Sequence, residues 1–133
     1  MSKLNNILLV DDDDIVNTIN STIVRHASFA ENITVETSVD GAISVLKNQN
    51  GNGDLPELIF LDVNMPEKNG WDFINEYKQL PFGDARPKII MVSSSINPND
   101  EEQALKNDMV LGFISKPISK EILDKIYQDH FSN

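Results

Sequence analysis

The chain has 133 residues, with 11 Lys plus Arg against 21 Asp plus Glu and a formal net charge of −10. That length makes about one domain, and 40% apolar with 24% charged residues is the content of an ordinary folded protein, not a disordered or fibrous one. No apolar run exceeds four residues where a membrane span needs about 20, there is no cysteine for a disulfide or thiolate metal site, and an acidic chain disfavours the phosphates of nucleic acid.

The opening Met1-Ser-Lys-Leu-Asn-Asn lacks the apolar stretch and small-residue cleavage site of a secretory signal, so a cytoplasmic chain is expected. Ile7–Val10 is apolar without alternation, as suits a strand covered on both faces. Asp11-Asp12-Asp13-Asp14 follows it directly. Ile15, Ile19 and Ile23 then recur at i, i+4 and i+8, which predicts a helix with an isoleucine stripe toward the core. Ile33–Thr37 alternates and reads as an edge strand, and Ala42, Val45 and Leu46 predict a second helix that stops in the turn Asn48–Asp54.

Leu58–Leu61 is the next continuous strand, and Asp62-Val-Asn-Met-Pro66 follows it. Phe73, Ile74 and Tyr77 predict a third helix. Ile89–Val92 is a further strand, followed by Ser93-Ser94-Ser95. Asn97-Pro98 reads as an N-cap with proline at the first helical position, although only Ala104 and Leu105 offer that helix an apolar face. Leu111–Ile114 is the weakest strand and leads into Ser115-Lys116-Pro117. Ser119 caps a last helix with the strongest stripe, Ile118, Ile122, Leu123, Ile126 and Tyr127.

The order is strand then helix, five times over, with no internal repeat or linker. Parallel strands joined by right-handed crossovers give a doubly wound α/β sheet with helices on both faces. Its reactive crevice lies beyond the carboxyl ends of the strands. Carboxylates, a hydroxyl and an ammonium from four separate segments therefore meet at one edge. Two like charges 4 Å apart repel by about 4 kcal/mol at an effective dielectric near 20. Such a cluster persists only when protons or a cation neutralise it, and a hard cation such as Mg²⁺ uses one or two carboxylates plus phosphate oxygens. A cation beside a carboxylate and a lysine points to phosphoryl transfer.

Ile7-Leu-Leu-Val-Asp-Asp12, Leu61-Asp-Val-Asn-Met-Pro66, Met91-Val-Ser93 and Ser115-Lys-Pro117, in this order and spacing, resemble the receiver domain of bacterial two-component response regulators. The resemblance runs from about Leu4 to His130. It implies a flavodoxin-like five-stranded sheet of order 2-1-3-4-5 and one receiver domain over residues 1–133. It implies that Asp62 is the phosphoacceptor, that Asp11, Asp12, Asp62 and the main-chain carbonyl of Asn64 hold Mg²⁺, and that Lys116 pairs with the phosphoryl group. Ser93 would bind that group through its hydroxyl, and Phe113 stands where the family places an aromatic switch residue. The Lys116–Pro117 bond is expected to be cis. Asn64 and Ser95 flank the position where the family tunes hydrolysis of the acyl phosphate.

The implied function is a Mg²⁺-dependent phosphoacceptor switch, a signalling module that catalyses only its own phosphorylation and dephosphorylation. Its donor would be a histidine kinase or a histidine phosphotransfer protein. With no output domain expected after the last helix, the signal would pass to an unknown downstream protein through the surface of the fourth and fifth strands and helices. No nucleic-acid or membrane partner is expected, and the chain would be a monomer or a phosphorylation-dependent dimer.

Each residue also has a plainer reading. Asp13 and Asp14 read as an acidic helix start that suits the helix dipole, and Phe113 and Trp71 as packed aromatics. Ser93 to Ser95 read as turn residues, and His26 and His130 as surface residues. A metal-dependent phosphatase using Asp12-Asp-Asp14-Ile-Val16 is a rival enzyme reading, but its nucleophile would stand one residue late after the strand. A receiver-like binding module without phosphorylation is another rival, and every acceptor-site group is present against it.

Overall fold

The computed structural model describes residues 3–50, 53, 55–82, 86–94 and 97–132. The elements run β1 (Leu4–Val10), α1 (Asp14–His26), β2 (Ala30–Glu36), α2 (Val39–Gln49), β3 (Leu58–Asp62), α3 (Gly70–Tyr77), β4 (Lys88–Ser93), α4 (Pro98–Leu105), β5 (Val110–Ser115) and α5 (Lys120–His130). All strand pairs are parallel and the sheet order is β2-β1-β3-β4-β5, as expected.

Because strand side chains alternate between faces, each continuous apolar strand feeds two cores. Leu8, Val10, Ile59, Leu61, Ile89 and Met91 face a layer built with Ala42, Leu46, Phe73 and Tyr77 from α2 and α3. Ile7, Leu9, Leu58, Phe60, Ile90 and Val92 face the other, with Val24 from α1 and Leu123 and Ile126 from α5. β2 is an edge strand, although it begins at Ala30 rather than Ile33. The turn expected at Asn48–Asp54 lies partly outside the described residues; α2 closes at Gln49 with Asn50 as its C-cap.

The helix starts follow their caps. Asp13 accepts from the Ile15 and Val16 amides, Ser38 from Gly41, Asn97 from Asn99 ahead of Pro98, and Ser119 from Ile122. Asn69 and Asp72 make a reciprocal capping box on α3.

One expectation is corrected. The Ile15–Ile19–Ile23 stripe does not face the core: Ile15 is 72% and Ile19 46% exposed, and only Ile23 is partly packed. Asn17, Asn20, Ser21 and Val24 face the sheet in their place. The helix phase is set at its start, where Asp13 caps α1 and the Asn17 amide donates to the Asp11 carbonyl. On α4, Ala104 is buried but Leu105 is half-exposed.

Candidate functional site

Strand register places the expected residues at one edge. Val10 is level with Leu61, so Asp11 follows β1 where Asp62 ends β3. Asp62 is level with Val92, and Ser93 with Ser115, which puts Lys116 one residue beyond the last pair. Backbone bonds hold these ends: the Asp11 amide donates to the Glu36 carbonyl at 3.1 Å, Val63 to Val92 at 3.0 Å, and Lys116 to Ser93 at 2.8 Å. The Lys116–Pro117 peptide is cis, as expected.

The side chains converge. Asp11, Asp62 and Ser93 are 5%, 3% and 2% exposed, whereas Asp12 stands at the open rim. Lys116 Nζ lies 2.8 Å from Asp11 Oδ2 and 3.3 Å from Asp62 Oδ1. Asp11 Oδ1 accepts from the Asp13 amide at 2.9 Å, and Asp62 Oδ1 from the Asn64 amide at 3.4 Å. Asp11, Asp12 and Asp62 each offer one oxygen, and the three lie within 4.8 Å of one another. Ser95 lies outside the described residues.

The electrostatics follow from this crowding. Burial, and then the neighbouring Asp11 charge, push the Asp62 carboxyl up to about 6 despite the opposing pull of Lys116. Burial pulls the Lys116 ammonium down, but Asp11 and Asp62 outweigh it and hold it above the ordinary lysine value. One ammonium thus serves two buried carboxylates, with a third at the rim. The excess negative charge and the clustered oxygens are what a hard cation needs.

Residues 7–128 match the response regulator receiver domain family. The chain belongs to that family. The receiver is 39% identical over 126 residues to ARR13 of Arabidopsis thaliana, named as a two-component response regulator, covering 92% of this chain and 20% of that one. It is 27% identical over 131 residues to hybrid signal transduction histidine kinase L of Dictyostelium discoideum, covering 98% of this chain and 7% of that one. The chain thus spans about a fifth or less of these two relatives. The crystal structure of a two component response regulator from Cytophaga hutchinsonii superposes with a TM-score of 0.88 at 37% identity, covering 95% of this chain and 96% of that one.

Around the receiver's crevice, Phe113 is buried opposite Met91, within the core layer that includes Ala104 and Val110. Trp71 is partly buried against that layer, and His26 and His130 are exposed, as expected. Two residues were missed from the sequence. Gly70 packs under the Asp62 main chain, and Asn17 ties α1 to the Asp11 carbonyl. Glycine after Asn69 reads locally as a turn, so nothing in the sequence marks its contact with Asp62. The signal for Asn17 was the polar residue recurring with Asn20 at helical spacing. Among the described residues, no helix is long and apolar enough to cross a membrane.

Proposed function

We propose that this receiver is a Mg²⁺-dependent phosphoacceptor in a two-component phosphorelay, with Asp62 as the acceptor. The observation that carries the reading is Lys116 Nζ lying 2.8 Å from Asp11 and 3.3 Å from Asp62, with Asp12 completing the oxygen cluster. A carboxylate oxygen of Asp62 attacks phosphorus in line, and the phosphorus–nitrogen bond of a donor phosphohistidine breaks. Mg²⁺, held by Asp11, Asp12, Asp62 and the Asn64 carbonyl, would offset charge on the phosphoryl oxygens. Lys116 then moves its contact from the Asp62 carboxylate to the phosphoryl group, and the Ser93 hydroxyl donates to it from the end of β4. This is self-directed chemistry in a signalling module, and it suits a cytoplasmic setting where kinase and receiver meet.

The donor is proposed to be a histidine kinase or histidine phosphotransfer protein. A macromolecule that reaches Asp62 must cover the rim of the crevice, and the exposed Ile15 and Ile19 sit on α1 directly after the Asp11–Asp12 pair. Their exposure supports a partner with an apolar contact face. The output is proposed to pass to a downstream protein through a cleft of about 270 Å³ between α4, β5 and α5, where Leu105, Leu111, Gly112 and Ile122 meet Lys125 and Asp129. The added charge of about −1.5 to −2 on Asp62 draws Ser93, which ends β4, and Lys116, which follows β5, the strand that carries Phe113. The same surface would serve a phosphorylation-dependent dimer. Labelling by a small phosphoryl donor in the unsubstituted receiver, and its loss in Asp62→Asn, tests the assignment; label retained in that variant overturns it.

A further inference from the structure

Two buried amide oxygens in α1 have no donor among the described residues: Oδ1 of Asn17 and Oδ1 of Asn20. The residues are 4% and 5% exposed, and a buried acceptor left without a donor costs about 1–3 kcal/mol. Three apart on one helix, they share a face. Both line a cavity of about 10 Å³ closed by Phe60 and Val92 and reached by Asp11 and Asp62. The Asn17 amide is fixed in orientation, because its Nδ2 donates to the Asp11 main-chain carbonyl at 2.8 Å. Its oxygen therefore stays turned away from that bond.

The unpartnered polar atoms here are amide oxygens, and their charged neighbours are carboxylates. All of these accept and none donates. The occupant must supply hydrogens or positive charge, and a cavity of this size takes one water-sized species and nothing larger. A water suits it, since ordered buried waters typically serve polar groups that the protein leaves unserved.

We propose that this cavity binds a single water that donates to Asn17 Oδ1 and Asn20 Oδ1, and that Asn17, held at both ends, is a positioning residue for Asp11. The first half stands on the cavity alone. The second half rests on the reading of Asp11 as a cation ligand. It accounts for the reversed polarity of α1, which turns two asparagines inward while Ile15 and Ile19 face out.

A crystal structure of the unsubstituted chain at high resolution is expected to show one peak within hydrogen-bond distance of both oxygens. Oxygen-17 relaxation dispersion is expected to count one more long-lived water in that protein than in Asn20→Leu. An absent peak, equal counts, or a peak with the short, numerous contacts of an alkali cation that disappears when sodium and potassium are replaced by a bulky organic cation overturns the site. Asn17→Ser is expected to weaken Mg²⁺ binding about tenfold by calorimetry. Asn20→Leu, which keeps the bond from Asn17 to Asp11, is expected to weaken it less. Unchanged Mg²⁺ affinity in a folded Asn17→Ser overturns the positioning role. A failure of the Asp62 reading would show separately, as absent labelling in the unsubstituted protein.

Discussion

Gly70, the first residue of α3, lies so close beneath Asp62 that a Cβ on it would stand 2.9 Å from the Asp62 carbonyl oxygen. It would also stand 3.0 Å from Val63 Cα and 3.2 Å from the Met91 methyl, while the Gly70 amide donates to the Val63 carbonyl at 2.9 Å. The Met91 methyl can swing aside, but the two main-chain atoms of Asp62 and Val63 cannot. Gly70→Ala is therefore expected to destabilise the fold by about 1–3 kcal/mol, read by urea denaturation, and to reduce Mg²⁺ affinity by displacing the main chain that carries Asp62. A variant as stable as the parent would show that this approach is not a constraint.

Asp62 gives a pH dependence with a definite sign. Its carboxyl is raised from 3.8 to about 6 in the fold, mainly by burial and then by Asp11. A raised acid is disfavoured in its charged form, so its contribution to stability is lost as pH climbs from about 4 to about 6, and stays lost above that. Asp62→Asn removes the penalty. Without metal, the variant should be more stable than the parent at pH 7 by on the order of 2 kcal/mol, with the gap closing toward pH 4. Thermal unfolding across that range checks it; a gap that is constant or widens at low pH contradicts it.

Ile15 and Ile19 separate docking from chemistry. Ile15 is largely exposed and Ile19 about half-exposed, so Ile15→Ser should change stability by less than about 0.5 kcal/mol and Ile19→Ser by about 1 kcal/mol. Labelling of Asp62 by a small phosphoryl donor should be unchanged, while transfer from a phosphohistidine protein should slow severalfold. Equal slowing with both donors would place these residues in the chemistry instead.

Lys116 is shared by Asp11 and Asp62 at 2.8 and 3.3 Å. Lys116→Met leaves that pair without its cation. In chelator the variant should lose about 1–2 kcal/mol, a value reduced from the fully buried case because the lysine is partly exposed. Mg²⁺ should restore the loss and bind more tightly, since no ammonium competes for the same oxygens. Equal losses with and without Mg²⁺ would mean that the lysine acts by packing alone.

How much of this was legible in the sequence depends on which interactions carry the signal. β1, β3 and β4 were visible because strands covered on both faces are uniformly apolar, and the caps at Asn97-Pro98 and Ser119 act within one turn. The meeting of Asp11, Asp12, Asp62 and Lys116 followed from position, since residues just after parallel strands share an edge, whereas the roles expected of them came from the resemblance. α1 failed for the opposite reason. Its isoleucines have perfect helical spacing, but periodicity gives the width of a face and not its direction. That direction is set by Asp13 and by the Asn17 bond to Asp11, local contacts whose bearing on the sheet shows only once the sheet has formed. The close approach of Gly70 was hidden likewise, because Met91 and Asp62 come near it only after the sheet forms.

The most direct measurement is the intact mass of the receiver after incubation with Mg²⁺ and a small activated phosphoryl donor, with peptide mapping of the product. The account predicts a gain of one phosphoryl group, located on Asp62, abolished in Asp62→Asn and by chelation. An unchanged mass, or a gain that persists in Asp62→Asn, would contradict it.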